Sequence, residues 1–123
     1  TFIVTFDDKL SMDKLESLIS PRQFSDTPLD LLVLSACETA KGDERAALGL
    51  AGVAYKAGAR SAIATLWATK EETVYQLFKG FYPELTHHSK AQALQQAQIR
   101  LLNHPNFSHP HEWAGFVLIG NWL

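Results

Sequence analysis

The stretch Leu31-Leu32-Val33-Leu34-Ser35-Ala36-Cys37 decides how the rest of this 123-residue chain is read. It lies in the apolar run Leu29–Ala36, which is too short for a helix core and is bounded by Pro28 and a polar loop. A continuous run of this kind suits a strand buried on both faces, as in a parallel sheet. After the loop Glu38–Arg45, the segment Ala46–Ala57 is apolar almost all round, with only Tyr55 and Lys56 polar. Gly49 and Gly52 would each cost a helix about 1 kcal/mol against alanine, so this segment is expected to be a helix pressed close to a sheet. Gly58 is placed to end it, and Ser61–Leu66 reads as a second short, buried strand.

Toward the N-terminus, Thr1–Phe6 alternates threonine with large apolar residues and predicts a strand, turned at Asp7-Asp8. Ser11 then caps a short helix with Met12, Leu15, Leu18 and Ile19 inward, stopped by Ser20-Pro21. Toward the C-terminus, Thr69 and Glu72 have the spacing of a capping box. They precede a helix whose inner face is Val74, Leu77, Phe78, Phe81, Tyr82 and Leu85. Ser89 and Gln92 open another helix in the same way, with Leu94, Ala97 and Leu101 inward. A polar loop, Asn103–Glu112, leads to a last strand, Phe116–Ile119, ended by Gly120. Strands alternating with helices predict a three-layer α/β fold with a mainly parallel sheet. Two helices precede the final strand, so the chain returns to the end of the sheet it left. That strand is therefore expected to be antiparallel, with Asn103–Glu112 at the carboxyl ends of the earlier strands.

Composition narrows the function. The length gives one domain, spanning 1–123. With 46% apolar and 20% charged residues, disordered and coiled-coil classes are excluded. A net charge of −2 provides no basic field for nucleic acid or a membrane surface. The single cysteine, Cys37, rules out an internal disulfide and a cysteine-built zinc site. Leu48–Ala68 is broken by Lys56 and Arg60 and cannot span a bilayer. With no signal peptide and no initiator methionine, the chain is expected to be a cytoplasmic piece of something longer.

Cys37 follows a strand at the carboxyl end of the sheet, where open α/β folds place their sites. A thiolate there needs a basic or positive neighbour, and a lone cysteine is otherwise a small buried hydrophobe. The runs Leu31–Thr39, Ala57-Gly58-Ala59-Arg60-Ser61, Ala64-Thr65-Leu66-Trp67 and Trp113–Trp122, with His109-Pro110 before the last, carry a family likeness. Together they closely resemble the CHAT domain, the bacterial caspase-like domain associated with tetratricopeptide repeats. The resemblance runs from about Thr1 to Leu123. It implies a caspase/separase-type sandwich with Cys37 as peptidase nucleophile and no cofactor. It also implies a protein or peptide substrate paired along Thr65, Leu66 and Trp67, and regulatory repeat domains in the parent chain.

One part of the family pattern is missing. The histidine-glycine pair that supplies the base and one oxyanion amide belongs before the first hairpin, yet all five histidines here follow Cys37. The expected reading is thus the C-terminal portion of a caspase-like cysteine endopeptidase, lacking the first part of the sheet and inactive alone. An exposed edge of Leu31–Ala36 then predicts self-association. The alternative is a non-catalytic interaction module on a degenerate peptidase fold. A nucleotide-binding domain is disfavoured because no glycine-rich phosphate loop joins a strand to a helix. His104, His109 and His111 share the predicted end of the sheet with Cys37, as candidates for a surrogate base. With Glu112 they form a donor set that matches no metal motif, and no metal is expected. Glu71 and Glu72 are candidates to face a basic substrate side chain, but acids also favour a helix's first turn. Glu38 and Asp43 read as solvated loop charges.

Overall fold

The computed structural model describes residues 2–4, 9–19, 29–34, 49, 52, 54–56 and 58–123. The first element is an antiparallel hairpin of β1 (Phe2–Val4) and β2 (Lys9–Ser11), with Phe2 opposite Ser11. β2 is a strand the sequence did not announce: three residues with charged Lys9 leave no period to detect. It runs directly into helix α1 (Met12–Ile19), where the Lys14 amide donates to the Ser11 hydroxyl at 3.2 Å, the expected cap. Leu18 departs from expectation: it is 66% exposed on α1, not inward.

The second sheet contains β3 (Leu32–Leu34), β4 (Ser61–Thr65) and β5 (Phe116–Gly120) in that order. β3 and β4 are parallel, with Leu34 opposite Ala64; β4 and β5 are antiparallel, with Thr65 opposite Phe116. The sheet is therefore mixed, one parallel and one antiparallel pair, and the last strand has the predicted direction. β4 is central and every one of its residues is buried. β3 is only half-buried, against the expectation of burial on both faces. Among the described residues it has a strand neighbour on one side alone.

The stop before β4 is built as read. Gly58 (φ 109°) donates to the Tyr55 carbonyl, and the Ala59 amide reaches the Ala54 carbonyl, each at 3.1 Å. This is the paired bonding of a left-handed helix end that glycine adopts without strain. Gly52 corrects the sequence reading. It is helical and exposed, and a Cβ there would meet nothing within 4 Å among the described residues, so it serves no close approach to the strands they form.

Two long helices, α2 (Glu71–Glu84) and α3 (Lys90–Leu102), pack on β4 and β5. Leu77, Phe81, Ala93, Leu94, Ala97 and Leu101 join Ile63 and Phe116 in one buried cluster, while Tyr82 is exposed. The Ser89–Gln92 box closes in both directions: Ser89 Oγ accepts from the Gln92 amide and Gln92 Oε1 from the Ser89 amide. The Thr69–Glu72 box does not form. Lys70 occupies the cap position with no side-chain capping bond, and Thr69 Oγ1 donates back to the Trp67 carbonyl at 3.3 Å. Glu72 accepts from Gln76 instead. Lys90, buried at the start of α3 where a cation opposes the helix dipole, is paired with Asp30 Oδ1 at 3.0 Å.

Candidate functional site

The predicted site lies where β4 ends. Thr65 is buried, while Leu66 and Trp67 are half-buried. The Leu66 amide donates to the Gly115 carbonyl at 2.8 Å, extending the β4–β5 pairing by one residue. The Trp67 indole N–H donates to the His111 carbonyl at 2.8 Å. Its ring stacks on the His111 imidazole, with centroids 5.5 Å apart at 26°. A Cβ on Gly115 would stand 2.8 Å from Trp67 Cε2, closer than any real contact, so only glycine lets the indole lie there.

The segment that holds Trp67 is a short helix, α4 (Pro110–Trp113), inside what reads in sequence as a loop. His109 caps it, its Nδ1 accepting from the His111 amide at 3.1 Å, and Pro110 takes the first turn. The His109-Pro110 pair, read in sequence only as part of the family motif, is the local pattern that could have marked this helix. Nothing comparable announced the next contact. The hydroxyl of fully buried Thr73, on α2, donates to Glu112 Oε2 at 2.6 Å, and Lys70 Nζ lies 3.3 Å from Oε1. The Thr73 hydroxyl foremost, with smaller help from Lys70 and His111, holds the Glu112 carboxyl below the usual glutamate range against the opposing effect of burial. Lys70 itself is mostly exposed, so its ion pair adds little by itself.

Asn103–Glu112 is thus brought to the carboxyl end of β4, as the topology predicted. Its donors are dispersed: His104 Nδ1 accepts from the Asn106 amide, His109 caps α4, His111 stacks on Trp67, and Glu112 is bound by Thr73. Among the described residues no three histidine, cysteine or acidic groups could hold a metal ion. Glu71 and Glu72 are exposed in the first turn of α2. Cys37 lies outside the described residues, as do Ser35, Ala36, Glu38, Asp43 and the turns predicted at Asp7-Asp8 and Ser20-Pro21.

The sequence profile of the CHAT domain matches residues 3–121. The chain belongs to the CHAT-domain family. That family is caspase-like and peptidase-related. Tetratricopeptide repeat protein 28 from mouse is 36% identical over 96 residues, 74% of this chain. Tetratricopeptide repeat protein 28 from human is 31% identical over 97 residues, or 76%. The CHAT chain spans 4% of the length of each of these relatives. Both are mammalian and repeat-containing by name, which agrees with the expected repeat association and gives no support to a bacterial origin. No solved structure gives a significant match. Among the described residues no helix is long and apolar enough to cross a membrane.

Proposed function

We propose that this chain is the C-terminal portion of one caspase-like CHAT domain, a cysteine endopeptidase with Cys37 as nucleophile. Membership of a peptidase-related family is the observation that carries the reading. The sheet supports it: β3 and β4 run parallel with Leu34 opposite Ala64, and Cys37 and Trp67 follow those two residues at the same chain distance. In this reading the Cys37 thiolate adds to a substrate carbonyl carbon, and the oxyanion is held by backbone amides, one of them that of Cys37. A histidine protonates the departing amine, and water then hydrolyses the acyl-enzyme. The base is the family's histidine, which this sequence does not contain ahead of Cys37, so the residues here are inactive alone.

The substrate is an extended peptide docked along Thr65–Trp67 by strand addition. Because the Leu66 amide is already bonded to Gly115, the backbone of Thr65 and Trp67 is the part of the groove assigned to substrate. The domain acts in the cytoplasm under the control of repeat domains, and self-associates through the second edge of β3. In the full-length protein, peptide cleavage is expected to vanish in Cys37→Ala and to fall at least tenfold in Trp67→Ala. Cleavage unaffected by Cys37→Ala overturns the peptidase reading. A complete lack of cleavage, with partners still bound by wild type and Cys37→Ala alike, identifies an interaction module instead.

A further inference from the structure

The amino end of β4 carries a cleft of about 740 Å³ that the peptidase reading does not use. It is open to solvent and lined by Tyr55, Lys56, Arg60, Asn121 and Trp122. Tyr55 and Trp122 are 56% and 58% exposed, large surfaces to leave in water. The lining contains two cations and no carboxylate among the described residues. Among the described residues neither Lys56 nor Arg60 has an ion-pair partner, whereas the nearby Lys90 is neutralised by Asp30. The patch is therefore positive on a chain whose net charge is −2.

Its floor is fixed. The Arg60 amide donates to the Leu29 carbonyl at 2.9 Å, and the Arg60 carbonyl accepts from the Asn121 amide at 2.8 Å. Trp122 is tethered through its carbonyl, which accepts from the Ala91 amide at 3.1 Å. The backbone under the cleft is thus held by β4, β5 and α3, leaving side chains to meet a ligand without reordering the main chain. Trp, Tyr and Arg are the residue types that dominate binding energy at protein interfaces. A small anion would need the cations but not the two exposed rings.

We propose that this cleft docks an acidic, extended peptide segment of a protein partner, with carboxylates on Lys56 and Arg60 and apolar side chains on Tyr55 and Trp122. The site lies at the other end of β4 from Trp67, with the five residues of the strand between them, and is independent of the peptidase chemistry. The test uses fluorescence anisotropy of the full-length protein with a fluorescein-labelled peptide alternating glutamate and leucine, and a second alternating glutamine and leucine. The acidic peptide is expected to bind, more weakly as salt rises, and the glutamine peptide at least tenfold more weakly. The double variant Lys56→Gln, Arg60→Gln is expected to lose about tenfold in affinity at unchanged melting temperature. Trp122→Ala is expected to lose affinity for the acidic peptide while keeping its salt dependence. Cys37→Ala is expected to bind as wild type, which separates this proposal from the peptidase reading. Failure to bind the acidic peptide, equal affinity for the glutamine peptide, or wild-type affinity in the double variant overturns it.

Discussion

At its carboxyl end β4 runs into Leu66 and Trp67, whose amide and indole N–H groups are both spent on the segment 111–115. At its amino end it is entered through Arg60, exposed beside Lys56, Tyr55 and Trp122, with no acid against it among the described residues. One strand thus carries an end closed by side chains bonded to backbone and an end left open to solvent. The closed end suits a site that must hold a reacting group in place. The open end suits recognition by charge and exposed rings. The difference lies in the polar groups: those of Trp67, Thr73 and Glu112 are bonded internally, whereas Lys56 and Arg60 are exposed.

The contrast can be broken by mutation, beginning with the core that both ends share. Phe81 is fully buried beside Ile63 and Phe116, so Phe81→Ala is expected to cost about 3–5 kcal/mol in denaturant unfolding and to disable both ends. Gly115→Ala, which forces a Cβ against the Trp67 indole, is expected to cost about 1–3 kcal/mol. It should also alter Trp fluorescence while sparing peptide binding at the amino end. Thr73→Val removes the donor to Glu112 and is expected to cost about 1–2 kcal/mol at neutral pH.

The same variant has a signature in pH. Because the folded Glu112 pKa is lowered, its contribution is complete above the ordinary glutamate value of about 4.3 and fades as pH falls through the folded value. Unfolding free energy measured from neutral to strongly acidic pH should therefore fall less steeply in Thr73→Val than in wild type. Smallest is Gly52→Ala, at an exposed helical position with open space, expected to stabilise by up to about 1 kcal/mol. Equal effects at Gly52 and Gly115 would remove the distinction between a free and a packed glycine.

Much of this architecture is legible in residue patterns, and each failure has a physical cause. Ser89-x-x-Gln92 and Thr69-x-x-Glu72 have the same spacing, yet only the first closes into a capping box. The second fails because the Thr69 hydroxyl donates to the carbonyl of Trp67, two residues back, a local side-chain bond that competes with the cap. The inner faces of α2 and α3 were readable because period and burial agree at Leu77, Phe81, Leu94 and Leu101. Tyr82 shares the period and lays its ring against Phe78 and Phe81, yet about half of the residue stays exposed, as an amphipathic side chain can. At the candidate site, Trp67 was identified from the motif, but its partners were not. Gly115 and Glu112 lie far along the chain, and only folding reveals that one admits the indole and the other binds Thr73.

The claim on which the rest depends is that Cys37 and the Trp67 end of β4 share one groove. Labelling of Cys37 in the full-length protein by a peptidyl acyloxymethyl ketone, read by mass spectrometry and compared with iodoacetamide, tests it directly. The peptidyl reagent is expected to label Cys37 much faster than its intrinsic reactivity allows, and Trp67→Ala to slow this reagent but not iodoacetamide. Equal, Trp67-independent labelling by both reagents would contradict it.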